Sequence, residues 1–154
     1  MHIKKFKKIV IKIGSSILIN KKGKLKKVWL KEFAKDVKSL IREKKQIIIV
    51  SSGSIALGCE YLGIKKRGLK IEKSQAIASI GQIILMNFYK KIFDIKGIKI
   101  SQILLTLDDT EVRRRSINAK RTIDNLLSMG VVPIVNENDT TATTEIKYGD
   151  NDRL

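Results

Sequence analysis

The sequence predicts an α/β fold with a mostly parallel sheet, and three observations carry that prediction. Short β-branched runs alternate with long helical periodicities, the pattern of successive βαβ units. The run QIIIV at Gln46 to Val50 is almost wholly apolar, as a parallel strand covered on both faces must be. The 154 residues show no internal repeat, no low-complexity linker and no second-domain boundary, and they suffice for one proper core.

Taken in order, Lys7 to Ile13 (KKIVIKI) is the first strand, rich in β-branched residues and ending at Gly14-Ser15-Ser16. The basic stretch NKKGKLKK then reads as an exposed loop. From Leu25 the apolar residues fall at 25, 28, 29, 33, 37, 40 and 41, one helical face that takes Trp29 and Phe33 into the core. Gln46 to Val50 is the second strand, and Ile55 to Leu62 is helical. A long helix runs from Gln75 to Phe93, with Ser74 as its expected N-cap. Lys99 to Leu105 gives a third strand. Two charged helical segments follow, Asp108 to Arg115 and Ser116 to Met129, and Gly130 stops the second. Val131 to Val135 is the fourth strand, although Pro133 cannot donate to a ladder and belongs at an edge or a strand start.

Composition excludes several classes. Hydrophobic residues at 43% and charged residues at 31% describe an ordinary globular chain, not a disordered one. No apolar run approaches the ~18 residues a membrane span needs. The basic-then-apolar N-terminus is broken by Lys12 and lacks a small-residue cleavage site, so it reads as the first strand of a cytoplasmic protein. One cysteine, Cys59, excludes an internal disulfide framework, and one histidine, His2, excludes Cys/His zinc sites. Without a histidine partner Cys59 reads as a small core residue. The net charge of +17 fits a nucleic-acid partner or any anionic ligand. The lysines are spread over the whole chain and aromatics are only 5%, so a solvated lysine surface is the preferred reading.

Three apolar runs end in small polar loops: Gly14-Ser15-Ser16, Ser51-Ser52-Gly53-Ser54, and Asn136 to Asp139. Ligands of open parallel sheets bind beyond the carboxyl ends of the strands, so parallel strands would gather all three loops on one edge. The first two loops suit phosphate, because small residues let backbone N–H groups approach an anion and a following helix N-terminus adds a favourable dipole. Lys12, inside an apolar strand, can set a positive charge against a transferring phosphoryl group. The segment from Val131 to Asn151 reads either as a plain turn or as a polar cradle for a charged small molecule or a hydrated magnesium ion.

Other motifs fall away. Gly63 to Gly68 has the glycine spacing of a phosphate loop, but Leu69 stands where that signature needs lysine. There is no GxGxxG fingerprint, and the lone His2 leaves no Ser-His-Asp arrangement. Arg113-Arg114-Arg115, with Lys120 and Arg121, lies among Asp108, Asp109, Glu111 and Asp124. Helical spacing pairs these charges into a salt-bridged surface or a subunit contact.

In order and spacing, VIKIGSS, IIIVSSGSIALG, IASIGQIILM, LLTLDDTEVRRRSINAKRT and VVPIVNENDTTATTEIKYGDND resemble the N-terminal portion of the glutamate 5-kinases, within the amino acid kinase family. The resemblance covers essentially the whole chain. SSG loops occur in related kinases, whereas the pair NEND and GDND separated by TTATTEIKY is much more specific. The resemblance implies an αβα sandwich, truncated after the substrate-binding half, with residues 1–154 as the N-terminal part of an amino acid kinase domain. The family's Ser-Asp nucleotide element, its glycine-rich segment with a second catalytic lysine and its appended RNA-modification-type domain have no counterpart in these residues.

The resemblance also implies transfer of the ATP γ-phosphoryl group to the side-chain carboxylate of L-glutamate, giving γ-glutamyl phosphate for proline biosynthesis, with Mg2+ accompanying ATP. Lys12 matches the family's ATP-phosphate lysine, while Ser52, Asp139 and Asn151 match its glutamate-binding positions. Gly14, Ser15 and Gly53 fall in loops facing phosphates and substrate. A homo-oligomer or a complementing C-terminal half is the expected partner, with neither membrane nor nucleic acid. Two alternatives stand beside this: another amino acid kinase with a different acceptor, and a non-catalytic remnant or basic nucleic-acid-binding module.

Overall fold

Hydrophobic strands need cover on both faces, and the computed structural model, which describes residues 5–20, 22–65 and 67–141, shows how this chain supplies it. The strands are β1 (Lys8–Ile13), β2 (Gln46–Ser51), β3 (Ile100–Leu105) and β4 (Val132–Glu137). They form one parallel sheet in the order β1-β2-β4-β3. The helices are α1 (Ser15–Leu18), α2 (Lys27–Arg42), α3 (Ser54–Leu62), α4 (Ile71–Ile95), α5 (Leu107–Glu111) and α6 (Arg113–Ser128). The expected parallel α/β class is the one observed.

The alternation of side chains along a strand builds two cores from one sheet. Ile47 and Ile49 of β2, with Ile134 of β4, join the larger core under α2, α3 and α4, where Leu30, Leu57, Leu85 and Phe93 meet them. Ile48 and Val50, with Val135, face the other way and are covered by Leu127 and Ile123 of α6. Helices therefore lie on both faces, as the αβα layering requires. Trp29 and Phe33 stack at 5.3 Å and pack against the larger core, as their helical spacing predicts.

Four expectations need correction. The first concerns the helix expected from Leu25, which begins at Lys27. Leu25 instead bridges to Ile19, and Val28 is 76% exposed, because Leu30, Ala34 and Val37 occupy the buried stripe. Ser74 is not an N-cap: α4 starts a turn earlier at Ile71, after Lys70, and Ser74 is buried inside it. Glu72 in that first turn suits the positive end of the helix dipole. The two charged segments divide at Val112, three to four residues before the predicted division.

Pro133, expected at an edge or strand start, lies within a strand flanked on both sides. Successive N–H groups of a strand point to opposite neighbours. The Val132 N–H reaches the Lys99 carbonyl on the β3 side, so the nitrogen of Pro133 faces β2. Pairing with β2 begins only at Ile134, opposite Ile49, so the missing donor interrupts no ladder bond.

Helix α3 crosses α4 at main-chain distance. A Cβ on Gly81 would stand 1.7 Å from the Ser54 carbonyl oxygen, so only glycine lets the helices meet there. This crossing fixes the start of α3 against α4.

Candidate functional site

Because every strand runs the same way, the C-terminal ends of β1, β2 and β4 share one edge. Register makes this concrete: Ile13 lies opposite Ser51, and Leu105 opposite Glu137. The three polar segments singled out in the sequence follow these ends.

After β1 the chain does not loop freely. Gly14 caps the short helix α1, accepting hydrogen bonds from the Ile17 and Leu18 N–H groups, at 3.0 and 3.3 Å. Ser15 and Ser16 are its first residues and line a cavity of about 480 Å³ with Ile19, Asn20, Lys26 and Ala56. Lys26 Nζ donates to the Ser16 carbonyl at 2.9 Å. Lys12 is exposed, on the outer strand of the described sheet. Its side chain alternates with that of buried Ile13, so an apolar neighbourhood does not enclose it, contrary to the sequence argument. Its place one residue before the strand end, opposite Val50, keeps it beside the shared edge.

After β2, Ser52 is tied back to β1. Its N–H donates to the Ile13 carbonyl at 3.2 Å, and its hydroxyl reaches the same oxygen at 3.4 Å. Gly53 follows with φ +123°, a conformation that side chains rarely adopt, and a Cβ there would stand 2.8 Å from Ile19 Cδ1. The turn throws the chain directly into α3, whose first-turn N–H groups bring positive charge to the edge. Below it, the buried Tyr89 hydroxyl donates to Ser51 Oγ at 3.0 Å, and burial pushes that phenol above its ordinary range.

After β4, Asn136 and Glu137 are still buried within the strand, so the polar cluster begins inside the sheet and not in a turn. Asn136 Nδ2 donates to Gln82 Oε1 of α4 at 2.7 Å. Asp139 Oδ2 accepts a 2.7 Å hydrogen bond from Ser54 Oγ, which links the β4 segment to the first residue of α3. The structure thus brings Ser52, Gly53 and Asp139 to one edge with Lys12, Gly14 and Ser15. Asn151 lies outside the described residues.

Sequence reasoning named Ser54 within its loop but missed it as the partner of Asp139, and it missed Gln82 and Tyr89. The trace of Tyr89 in the sequence is a hydroxyl on the apolar stripe of α4, while Gln82 lies beside that stripe at a partly buried position.

Chemically, a carboxylate, an amide, two backbone-anchored hydroxyl loops and a helix N-terminus converge, with a lysine beside them. Such an edge can grip an ammonium with the carboxylate and anionic oxygens with the N–H groups. Among the described residues no group of three acidic, histidine or cysteine side chains is placed to hold a metal ion. No described helix is long and apolar enough to cross a membrane.

The arginines are only partly neutralised. Arg115 faces Asp108 at 3.5 Å and Asp109 at 3.9 Å, and Lys120 pairs with Asp124 at 3.0 Å. Arg113, Arg114 and Arg121 line an open groove of about 750 Å³ with Arg115, Ile117 and Asn118.

Comparison with known proteins matches residues 7–154 to the amino acid kinase family. A protein named glutamate 5-kinase from Pelagibacter ubique is 65% identical over 154 residues, which is all of this chain and 42% of that protein. The protein of the same name from Brucella ovis is 51% identical over 152 residues, covering 99% of this chain and 40% of its own length. The chain spans about two fifths of the length of these relatives.

Proposed function

The chain belongs to the amino acid kinase family, and from that footing we propose that it provides the substrate-binding portion of an ATP-dependent glutamate 5-kinase. The observation that carries this reading is the Asp139 carboxylate, held by Ser54 at the strand edge beside the Ser52-Gly53 turn. A negative group in that position attracts the ammonium of an amino acid, while the N–H-rich start of α3 receives carboxylate or phosphoryl oxygens. The names of the relatives from Pelagibacter and Brucella support glutamate as that amino acid.

In the proposed reaction a side-chain carboxylate oxygen of L-glutamate attacks the γ-phosphorus of ATP. A new O–P bond forms, the β–γ bridge breaks, and ADP leaves with the bonding electrons. Ser52, Gly53, Asp139 and Asn151 bind glutamate, Gly14 and Ser15 approach the phosphates, and Lys12 offsets charge on the transferring group. Mg2+ travels with ATP, with phosphate oxygens as its principal ligands. The product, γ-glutamyl phosphate, would enter proline biosynthesis in the cytoplasm.

A second reading rests on the arginine-lined groove and the +17 charge, which suit a nucleic-acid backbone. The two separate cleanly. Glutamate binding is expected from the chain, and glutamate-dependent hydroxamate formation, with ATP, Mg2+ and hydroxylamine to trap the acyl phosphate, from a chain of the relatives' full length. Lys12→Ala should abolish it while leaving glutamate binding intact. Absence of glutamate binding, together with steeply salt-dependent binding of arbitrary DNA or RNA, would reverse the conclusion.

A further inference from the structure

Asp139 stands in a turn beyond β4, where a carboxylate left to itself would sample several rotamers and lose entropy on meeting a ligand. Ser54 prevents this. Its hydroxyl donates to Asp139 Oδ2 at 2.7 Å across 85 residues of sequence, and the serine itself is only 3% exposed. Its main chain cannot retreat, because the Ser54 carbonyl oxygen lies against Gly81 where α3 crosses α4. On the other side Gly53, with its left-handed φ, fixes the turn from which Ser54 emerges. The hydroxyl is therefore a rigid donor aimed at a mobile class of acceptor.

We propose that Ser54 is the positioning residue that selects an amino acid over the corresponding diacid, by holding the Asp139 carboxylate ready for the ligand's ammonium. This rests on the reading of the edge as a glutamate site and adds what discriminates there. A carboxylate offers about four acceptor directions, and the Ser54 bond at Oδ2 takes up one of them. Its negative charge attracts the α-ammonium of glutamate and has no partner on glutarate, which carries both carboxylates and no amine.

The test is calorimetric titration of L-glutamate and of glutarate into the full chain, as wild type, Ser54→Ala, Asp139→Asn and the double variant, each checked for folding by circular dichroism. The wild type should prefer glutamate. Ser54→Ala should weaken glutamate about tenfold, the scale of one charge-assisted hydrogen bond, and leave glutarate unchanged. In the Asp139→Asn background Ser54→Ala should have no further effect, a coupling that a merely structural serine would not produce. Equal losses for both ligands, additive losses in the double variant, or an unaltered glutamate affinity would overturn the role of Ser54. A wild type that binds no glutamate would instead remove the proposed function, and this inference with it.

Discussion

Tyr89 shows how a single residue supports the strand edge without touching a ligand. Its hydroxyl is buried between α4 and β2 and has Ser51 Oγ as its partner. Tyr89→Phe leaves that serine with one bond fewer in a closed environment. We expect a loss of about 1 kcal/mol in unfolding free energy, with an unchanged denaturant m-value, measured by urea titration. An unchanged midpoint would mean that the hydroxyl pair contributes nothing. Tyr89 was legible as an apolar stripe residue of a periodic helix. Its bond to Ser51 was not, since no local pattern records which hydroxyl meets which across 38 residues of sequence. The same holds for Ser54 with Asp139 and for Gln82 with Asn136. The loops that form the site could be named from strand ends alone, whereas the side chains that orient them are a product of helix packing.

Among the elements, the crossing of α3 and α4 controls the most. Gly81→Ala would drive a methyl into the Ser54 carbonyl and push the helices apart. The expected cost is roughly 2–3 kcal/mol, the range of an overpacked core, read as a lower thermal midpoint. Glutamate affinity should fall with it, because Ser54 moves. A Gly81→Ala chain with wild-type stability would refute the close approach. Element identities were legible because 3.6-residue and alternating patterns survive in each segment. Their limits were less so. Ser74 has the chemistry of a cap, but Ile71, Glu72 and Lys73 continue the helix past it, and the apolar count that included Val28 could not tell a stripe from its border. Pro133 argued for an edge from a rule about ladders. It sits safely inside because its nitrogen faces β2 ahead of the first paired residue there, Ile134.

For the molecule as a whole, charge is the dominant condition. Among its carboxylates, Asp109 is held below the usual range by the Thr106 N–H, assisted by the Thr106 hydroxyl and Arg115. Asp124 is likewise lowered, first by Lys8 and then by Lys120, and so ties α6 to β1. A carboxylate lowered in the folded state contributes stability that is present above its unfolded pKa of about 4 and is lost as pH falls through the folded value. Stability should therefore decline from about pH 4 downwards, and the Asp109→Asn, Asp124→Asn double variant should show a shallower decline in acid unfolding scans. An identical slope in the variant would assign the acid sensitivity elsewhere. The decline should be steep, because protonation leaves 32 lysines and arginines with no opposing charge.

The strand order has a consequence for how the chain comes to be folded. β4 is the last described strand to be synthesised, yet it lies between β2 and β3. Until Val132–Glu137 emerges from the ribosome, β2 and β3 have no native neighbour on their facing edges, and Ser54 waits for a carboxylate made 85 residues later. Assembly of the sheet is consequently governed by distant pairings, which close slowly and expose unpaired strand edges in the interval. The strand that enters between β2 and β3 also leads to Asp139, so closure of the described sheet and formation of the ligand edge become a single event.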